Sequence, residues 1–169
     1  MVRLFLCSFA LFLFALPMRV QAAEPELLGR FKDWSAYRLN EASGKVCYMV
    51  SKPIKAEGNY TKRGDIYALI THRPKDRSKD VFSYMTGYTY KSGGDVKIDI
   101  DGRTFLLFTQ DDTAWTPDAE TDRKLAQGVQ SGSKMVVKGT SSRGTLTTDT
   151  FSLSGSGAAY KKISSACGY

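Results

Sequence analysis

The chain has 169 residues, of which 42% are hydrophobic, and its formal net charge is +7 at pH 7. This length suits one globular domain, and the sequence contains no repeat, low-complexity tract or interdomain linker that would indicate a larger assembly of domains. The basic excess favours anionic partners such as lipopolysaccharide, nucleic acid or acidic phospholipid, although a moderate net charge also serves solubility.

Residues 1–22 have the pattern of a secretory signal peptide. Arg3 provides a positive start, an apolar run follows, and small residues precede a predicted cleavage between Ala22 and Ala23. The apolar run falls short of the roughly 20 residues that a membrane-spanning helix needs. We therefore expect an exported protein with one domain, residues 23–169, and no transmembrane segment. Cleavage removes two arginines, so 22 basic residues face 17 acidic ones and the net charge becomes +5.

Two cysteines, Cys47 and Cys167, remain after this cleavage. An even pair in an oxidising compartment favours a disulfide over a metal pair or a catalytic thiol. The sequence also lacks a CxxC spacing and contains a single histidine. Because the link would span 120 residues, it would remove unfolded-state entropy worth about 4–5 kcal/mol. We predict the Cys47–Cys167 disulfide.

Alternating apolar residues predict strands in the first half of the chain. The segments LLGRF and WSAYRL come first, followed by three longer alternating segments. In the first segment Val46, Tyr48 and Val50 lie opposite Cys47, Met49 and Ser51, and in the second Ile66, Ala68 and Ile70 lie opposite Tyr67, Leu69 and Thr71. In the third, one face carries Phe82, Tyr84, Thr86, Tyr88 and Tyr90.

Two hairpins are predicted in the second half. Asp101-Gly102 is a type I′ turn signal within VKIDIDGRTFLLFT. KMVVKG and TLTTDTFSLSG form the second pair, joined through Gly144, which can adopt a positive φ. About eight strands are expected in total, mostly antiparallel and linked by hairpins.

Two short helices complete the prediction. The first follows Thr116-Pro117, with Thr116 as the N-cap, and is expected to be a surface helix of modest burial. The second places Tyr160, Ile163 and Cys167 on one face and ends at Gly168. The expected fold class is mainly β: an antiparallel β-sandwich or open barrel with two accessory helices, one tied to the sheet by the disulfide.

No residue set in the sequence indicates catalysis. There is no G-x-S-x-G motif, and the S-x-x-K match from Ser131 to Lys134 lies where a helix ends and a strand begins, which is the wrong context for that nucleophile. His72 stands at a strand end, where we expect a partly exposed structural histidine. We predict no catalytic residue and no cofactor.

An acidic cluster, QDDTAWTPDAETD, is the one candidate for a hard cation such as calcium. Its spacing is not that of an EF-hand, and turn or helix-terminus positions explain each acid. We therefore predict no metal site. The acids are Asp111, Asp112, Asp118, Glu120 and Asp122.

Two further segments are weak candidates for binding at the surface. The loop HRPKDRSKD carries four basic residues, and the aromatic face that runs from Phe82 to Tyr90 could stack on sugars or bases, although a solvated loop and a core strand are the simpler explanations. The candidate residues are Arg73, Lys75, Arg77, Lys79, Tyr84 and Tyr88.

The stretch GNYTKRGDIY contains a glycosylation sequon at Asn59 and the adhesion tripeptide Arg63-Gly64-Asp65. Gly58, Asn59 and Gly64 are residues that a connection between strands needs. Because tripeptide matches arise easily by chance, we interpret the segment as a strand-entry turn.

Segments along nearly the whole mature chain resemble the invasion-associated locus B (IalB) family of alphaproteobacteria. They include LLGRFKDWSAY, GKVCYMVSKP, KRGDIYALITHRP and, most specifically, KGTSSRGTLTTDTFSLSG. Many relatives carry a further cysteine shortly after the Trp of the DW motif, whereas Ser35, Ala36, Tyr37 and Arg38 follow Trp34 here. The resemblance implies an exported, β-rich protein and supplies no catalytic residues.

Together these observations favour a non-enzymatic binding or accessory protein of the periplasm or envelope. Outer-membrane association and secretion are alternative locations. The expected partner is an envelope protein or an anionic surface component, nucleic acid is not expected, and the oligomeric state is open. A secreted or surface virulence factor that meets host cells is the first alternative function. A hydrolase with an unrecognised site is the second.

Overall fold

A computed structural model describes residues 24–169, and the predicted signal peptide with its cleavage site at Ala22 and Ala23 lies outside them. The described residues form eleven β-strands, two α-helices and one short 3₁₀ turn. None of the helices in this part of the chain has the length and apolar character needed to cross a membrane.

Most of the elements are short strands, and the helical elements follow β5, β9 and β11. In chain order they are β1 (Glu26–Phe31), β2 (Trp34–Glu41), β3 (Gly44–Ser51), β4 (Lys55–Gly58), β5 (Tyr67–Arg73), the 3₁₀ turn (Pro74–Asp76), β6 (Ser78–Met85), β7 (Asp95–Ile100), β8 (Arg103–Gln110), β9 (Thr113–Trp115), α1 (Ala119–Ser131), β10 (Lys134–Thr140), β11 (Leu146–Ser152) and α2 (Ser156–Cys167).

All strands belong to one antiparallel sheet in the order β1-β2-β3-β5-β6-β9-β8-β7-β10-β11-β4. The sheet is open, but it curls around its inner face. Trp34 Nε1 on β2 donates a hydrogen bond of 3.1 Å to the carbonyl of Ser152 on β11, and the rings of Tyr84 on β6 and Phe151 on β11 meet edge to face at 6.1 Å. These contacts confirm the predicted open-barrel class with two helices.

The predicted alternation matches the inner face of β3 and β5. Cys47, Met49, Ala68 and Ile70 are fully buried, and Met49 pairs directly with Ile70 across the two strands. The strand predicted through Tyr90, however, ends at Met85. The chain leaves the sheet there because Gly87 has φ +74° and its Cα packs against the backbone of the 64–65 segment, where a side chain would not fit.

Two strands were missed by the alternation pattern. β9 has only three residues, which is too short to show a period. β4 has four residues, all exposed, so it carries no apolar face. It belongs to residues 52–66, which we call the strap. The strap leaves β3, pairs with β11 at the far edge of the sheet, and returns to β5 beside β3.

Both predicted hairpins are confirmed. Asp101 has φ +48° and Gly102 has φ +89°, as a type I′ turn requires, between β7 and β8. The carboxylate of Asp101 also accepts the backbone N–H of Ser133 at 2.7 Å, so the turn holds the start of β10. Gly144 has φ +83° in the turn between β10 and β11.

Helix α1 begins two residues later than predicted. The N-cap is Asp118, whose carboxylate accepts the backbone N–H of Thr121 at 2.8 Å, so the expected cap at Thr116 is wrong. Thr116 donates its hydroxyl to Asp122, which also accepts the backbone N–H of Phe82 at 2.8 Å. Burial raises the pKa of Asp122 above its ordinary value.

The expectation that α1 has modest burial is also wrong. Leu125, Ala126 and Val129 are fully buried, because this face of the helix packs on β6. Gly128 lies against the side chain of Ile100, where its lack of a side chain allows a close approach.

The prediction for α2 is confirmed. Ile163 and Cys167 face the core, and Gly168 ends the helix with φ +80°. The Cys47–Cys167 disulfide joins β3 to the last turn of the helix, with 6.0 Å between the two Cα atoms. The helix is thus fixed covalently across the inner face of β2 and β3.

Candidate ligand-binding cleft

A buried ion pair fixes the end of the strap. The side chain of Arg63 is 3% exposed and that of Asp149, on the inner face of β11, is 0% exposed. Two guanidinium nitrogens of Arg63 donate to the two carboxylate oxygens of Asp149 at 2.8 and 2.7 Å. This bidentate geometry is the strongest form of an arginine–carboxylate contact. It ties the returning strap to β11, the strand next to the edge strand β4.

Residues at the end of β6 complete the shell around this pair. Arg63 also donates to the Thr86 carbonyl at 2.7 Å, to the Thr86 hydroxyl at 2.9 Å and to the Tyr84 hydroxyl at 3.2 Å. The Tyr84 hydroxyl in turn donates to Asp149. Burial, reinforced by the Asp149 carboxylate, raises the pKa of Tyr84, so the phenol stays protonated and acts as a donor. We call Arg63, Asp149, Tyr84 and Thr86 the Arg63 network.

The partners of Arg63 stabilise its protonated, charged form. Burial disfavours the guanidinium cation, but the hydrogen bonds to Asp149 and the attraction of nearby oxygens outweigh this cost and raise the pKa of Arg63 above its ordinary value. The guanidinium also lies over the rings of Tyr88 and Tyr60, at 4.9 and 5.4 Å from their centroids. The Tyr88 hydroxyl is 2.7 Å from that of Thr147 on β11.

A cleft of about 580 Å³ opens above this network, between the strap and the loops that follow β6 and β10. Its volume falls in the range of small-ligand sites. The described residues that line it include three basic residues and no acidic one. They are Asn59, Tyr60, Thr61, Lys62, Arg63, Gly64, Gly87, Tyr88, Thr89, Ser141, Ser142, Arg143, Thr145 and Thr147.

The two sides of the cleft are joined by backbone contacts. The N–H of Gly64 donates to the carbonyl of Gly87 at 2.9 Å, and the N–H of Ser142 donates to the carbonyl of Thr89 at 2.8 Å. Lys62 and Arg143 are exposed at the rim, whereas Ser141 and Thr147 are buried in the wall. The result is a polar depression whose sides are joined by backbone hydrogen bonds and whose exposed cationic side chains lie at its edge.

The structure gives the tripeptide Arg63-Gly64-Asp65 a structural role. A receptor that reads this motif needs the arginine, and the Arg63 side chain is enclosed in its network. Asp65 remains exposed and pairs with Lys52 at 3.1 Å. The segment enters β5, as the turn prediction expected. Asn59, the sequon residue, is exposed in the lining of the cleft.

His72 is fully buried, so the expectation of partial exposure is wrong. The backbone N–H of Asp80 donates to its Nδ1 at 3.1 Å, which leaves Nε2 to donate to the Ser164 hydroxyl at 3.1 Å. Burial lowers the pKa of the imidazole. Tyr160 and Tyr169 contact its ring edge to face. His72 therefore acts as a neutral link among β5, β6 and α2.

The six surface-binding candidates are not brought together. Tyr84 is 1% exposed and belongs to the core, so its proposal as a surface residue is wrong, whereas Tyr88 lines the cleft. Arg73 pairs with Glu41 at 3.0 Å, and Lys79 lies over the ring of Tyr169. None of the four basic candidates, Arg73, Lys75, Arg77 and Lys79, lines the cleft.

The acidic residues of the segment QDDTAWTPDAETD make separate local contacts and do not come together. Among residues 24–169, no three Asp, Glu, His or Cys side chains converge as a metal site would require. Each acid has its own local setting: Asp111 is a left-handed turn residue, Asp112 accepts from Thr113, Asp118 caps α1, Glu120 pairs with Lys124, and Asp122 is buried beside Thr116.

Sequence reasoning missed the residues that shape the cleft, namely Lys62, Arg63, Arg143 and Asp149. One signal was present for the last of these. Asp149 alternates with Phe151 in TLTTDTFSL, so a charged residue shares the inward face of a predicted strand. A carboxylate in that position requires a buried cationic partner. The pattern does not say that the partner is Arg63.

Most of the chain matches a known protein family. A family model described as Invasion associated locus B (IalB) protein matches residues 34–164. The chain belongs to the IalB family. The matched range contains the Arg63 network, the cleft residues and Cys47, while Cys167 lies three residues beyond it. No curated protein and no solved structure matches this IalB chain.

Proposed function

We propose that this IalB protein is exported to the envelope of an alphaproteobacterium, where it binds a polar ligand in the cleft without transforming it. The observation that carries the proposal is the cleft itself. It is of ligand size, its lining is polar and basic, and its base is the buried Arg63 network. A base held by bidentate and backbone hydrogen bonds keeps the depression in one shape before a ligand arrives, which lowers the entropic cost of binding.

The setting of His72 supports a binding role over catalysis. It is the single histidine of the sequence, and both of its ring nitrogens are engaged in hydrogen bonds inside the core. A general base must reach a substrate proton directly or through one water. His72 is instead enclosed by Tyr160 and Tyr169 and does not line the cleft.

Export is supported by the predicted signal peptide and by the disulfide. A structural disulfide persists in oxidising compartments such as the periplasm. Cell fractionation tests the location: we expect the protein in the periplasmic fraction with the Cys47–Cys167 bond oxidised. Recovery from the cytosol with both thiols reduced would contradict this part of the proposal.

Ligand mapping tests the site. Residues 23–169, with the disulfide intact, are titrated with a defined panel of soluble envelope saccharides, sugar phosphates and peptidoglycan fragments while backbone NMR shifts are recorded. We expect shifts to cluster at the cleft and to vanish in Thr89→Trp, which fills an exposed position of the lining. Thr104→Trp, at an exposed position on β8, is the matched control.

Two outcomes would overturn the proposal. Shifts that lie outside the cleft, or that persist in Thr89→Trp, would contradict the assigned site. Conversion of a panel compound to product by the purified protein would contradict the non-catalytic role.

The family description favours one second candidate, a role in host-cell invasion. That role requires the protein to reach the cell surface or the medium. Surface labelling of intact cells distinguishes it from periplasmic retention. Because Arg63 is buried, such a role would use another surface than the Arg63-Gly64-Asp65 tripeptide.

A further inference from the structure

We propose that the ligand of the cleft is an anionic saccharide, a sugar that carries a phosphate or a carboxylate group. This inference rests on the proposed function, since it takes the cleft as the binding site. It is carried by two features of the lining: a positive charge that no acidic residue of the lining offsets, and a high density of hydroxyl groups.

The charge of the cleft resides at its rim. The Arg63 cation is compensated by Asp149 at hydrogen-bond distance, so it adds little net field. Lys62 and Arg143 are exposed and stand on opposite sides, one on the strap and one in the turn between β10 and β11. Two cations that flank a depression attract an anionic group from either side.

The acids of the strap do not cancel this charge, because each pairs with a strap lysine. Asp65 pairs with Lys52 at 3.1 Å, and Glu57 pairs with Lys55 at 2.8 Å. Neither acid lines the cleft. An anionic ligand therefore meets two cations without a neighbouring carboxylate in the lining.

The hydroxyl groups favour a saccharide over a simple anion. Eight of the fourteen lining residues are Ser, Thr or Tyr. Thr61, Thr89 and Ser142 are exposed, so their hydroxyls can both donate to and accept from the hydroxyls of a sugar. A cleft of about 580 Å³ also exceeds what a free phosphate would fill and fits a sugar of one or two rings.

Binding of four probes tests the inference. Calorimetry at low salt compares glucose 1-phosphate, a galacturonate disaccharide, the neutral disaccharide maltose and inorganic phosphate. Exposed charge contacts are individually weak but two of them act together here, so we expect the two anionic sugars to bind about tenfold more tightly than maltose. We expect inorganic phosphate to bind more weakly than glucose 1-phosphate.

The charge is tested with matched variants. Lys62→Gln/Arg143→Gln removes both rim cations, and we expect it to weaken the anionic sugars about tenfold while maltose binding stays unchanged. Lys161→Gln/Lys162→Gln removes the same charge from exposed positions of α2 and should leave all affinities at the wild-type value. Circular dichroism confirms that both variants are folded.

The outcomes separate this inference from the proposed function. If maltose binds as tightly as the charged sugars and Thr89→Trp abolishes binding, the cleft is a binding site but the anionic class is wrong. If inorganic phosphate binds as tightly as glucose 1-phosphate, the saccharide part is wrong. If neither anionic sugar binds, or if both bind equally well to Thr89→Trp, the inference is overturned, and binding that survives Thr89→Trp also contradicts the assigned site.

Discussion

Two parts of the molecule are held together by different forces: the helix side, where α2 packs on β2 and β3, and the strap side, where residues 52–66 contact β11. On the helix side, Ile163 of α2 is fully buried and Cys167 is bonded covalently to Cys47 on β3. On the strap side, Arg63 and Asp149 form a buried ion pair surrounded by hydroxyl groups. Apolar burial tolerates small shifts of the packed groups, whereas a bidentate ion pair works only in a narrow geometry.

This difference suits the two sides to different tasks. The helix side closes the core, and His72, one of the polar groups buried there, is neutral and has both ring nitrogens in hydrogen bonds. The strap side places its charged groups next to an open cleft. Both sides are expected to contribute to the stability of the fold, and the strap side is expected to determine what the folded chain binds.

Loss of the disulfide is expected to have the largest effect. Cys47→Ala/Cys167→Ala frees a loop of 120 residues in the unfolded state and should lower the free energy of unfolding by about 4–5 kcal/mol. Urea unfolding followed by tryptophan fluorescence measures it, with wild type in reductant as a second route to the same state. A loss below about 1 kcal/mol would mean that the helix side does not depend on the link.

Breaking the ion pair is expected to cost nearly as much. Arg63→Met leaves Asp149 buried without its cation, which should lower the free energy of unfolding by about 3–5 kcal/mol. The double variant Arg63→Met/Asp149→Leu should recover part of this loss, because no unpaired charge remains. Urea unfolding of the four proteins in this cycle gives the coupling energy. Additive losses would contradict a direct pair.

The corrected cap of α1 offers a smaller test, on the helix side. Asp118→Ala removes the acceptor for the Thr121 N–H and should lower the free energy of unfolding by the modest amount typical of a lost N-cap, less than either loss above. Glu120→Ala, in the same first turn but paired only with Lys124 on the surface, is the control and should change less. Equal losses for the two variants would argue against Asp118 as the cap.

The response of His72 to pH is expected to be the smallest effect. Burial lowers its pKa in the folded state below the ordinary value of 6.5, so the unfolded chain binds the proton more readily. The stability that this histidine confers is complete above about pH 6.5 and is lost as the pH falls toward the folded-state pKa. The charged groups nearest the ring are Asp80, at 3.9 Å, and Lys79.

Urea unfolding at about pH 7.5 and about pH 5.5 tests this. Wild type should lose more stability on acidification than His72→Gln, because only wild type carries the buried histidine. All other titrating groups are shared, so they contribute equally to both proteins. An equal loss in the two proteins would show that burial of His72 does not couple folding to protonation.

Local patterns predicted much of the fold because they depend on neighbours in sequence. Three features follow from the backbone and side chains within a few residues. They are the alternation that buries Met49 on β3 and Ile70 on β5, the positive φ at Gly102, and the helix end at Gly168. The disulfide was predictable as well, since only one pairing is open to the two cysteines that lie outside the predicted signal peptide.

Local patterns failed where a distant contact overrides them. Thr116 has the sequence context of an N-cap, but its hydroxyl donates a hydrogen bond to Asp122 instead. The Asp122 carboxylate is held there because it also accepts the backbone N–H of Phe82 on β6, 40 residues away in sequence. From its neighbours His72 is expected to be partly exposed at a strand end, but α2 covers it. Neither outcome can be read from the neighbouring sequence.

The sequence by itself therefore determined most of the strands, both tight hairpins, the second helix and the disulfide pairing, since short-range sterics, periodicity and the cysteine count control them. Only the tertiary structure decided that β4 joins β11, that Arg63 reaches Asp149 across 86 residues, and that a polar cleft forms above them. The physical reason is that such contacts depend on how the sheet curls, which is set by the summed burial of its whole inner face.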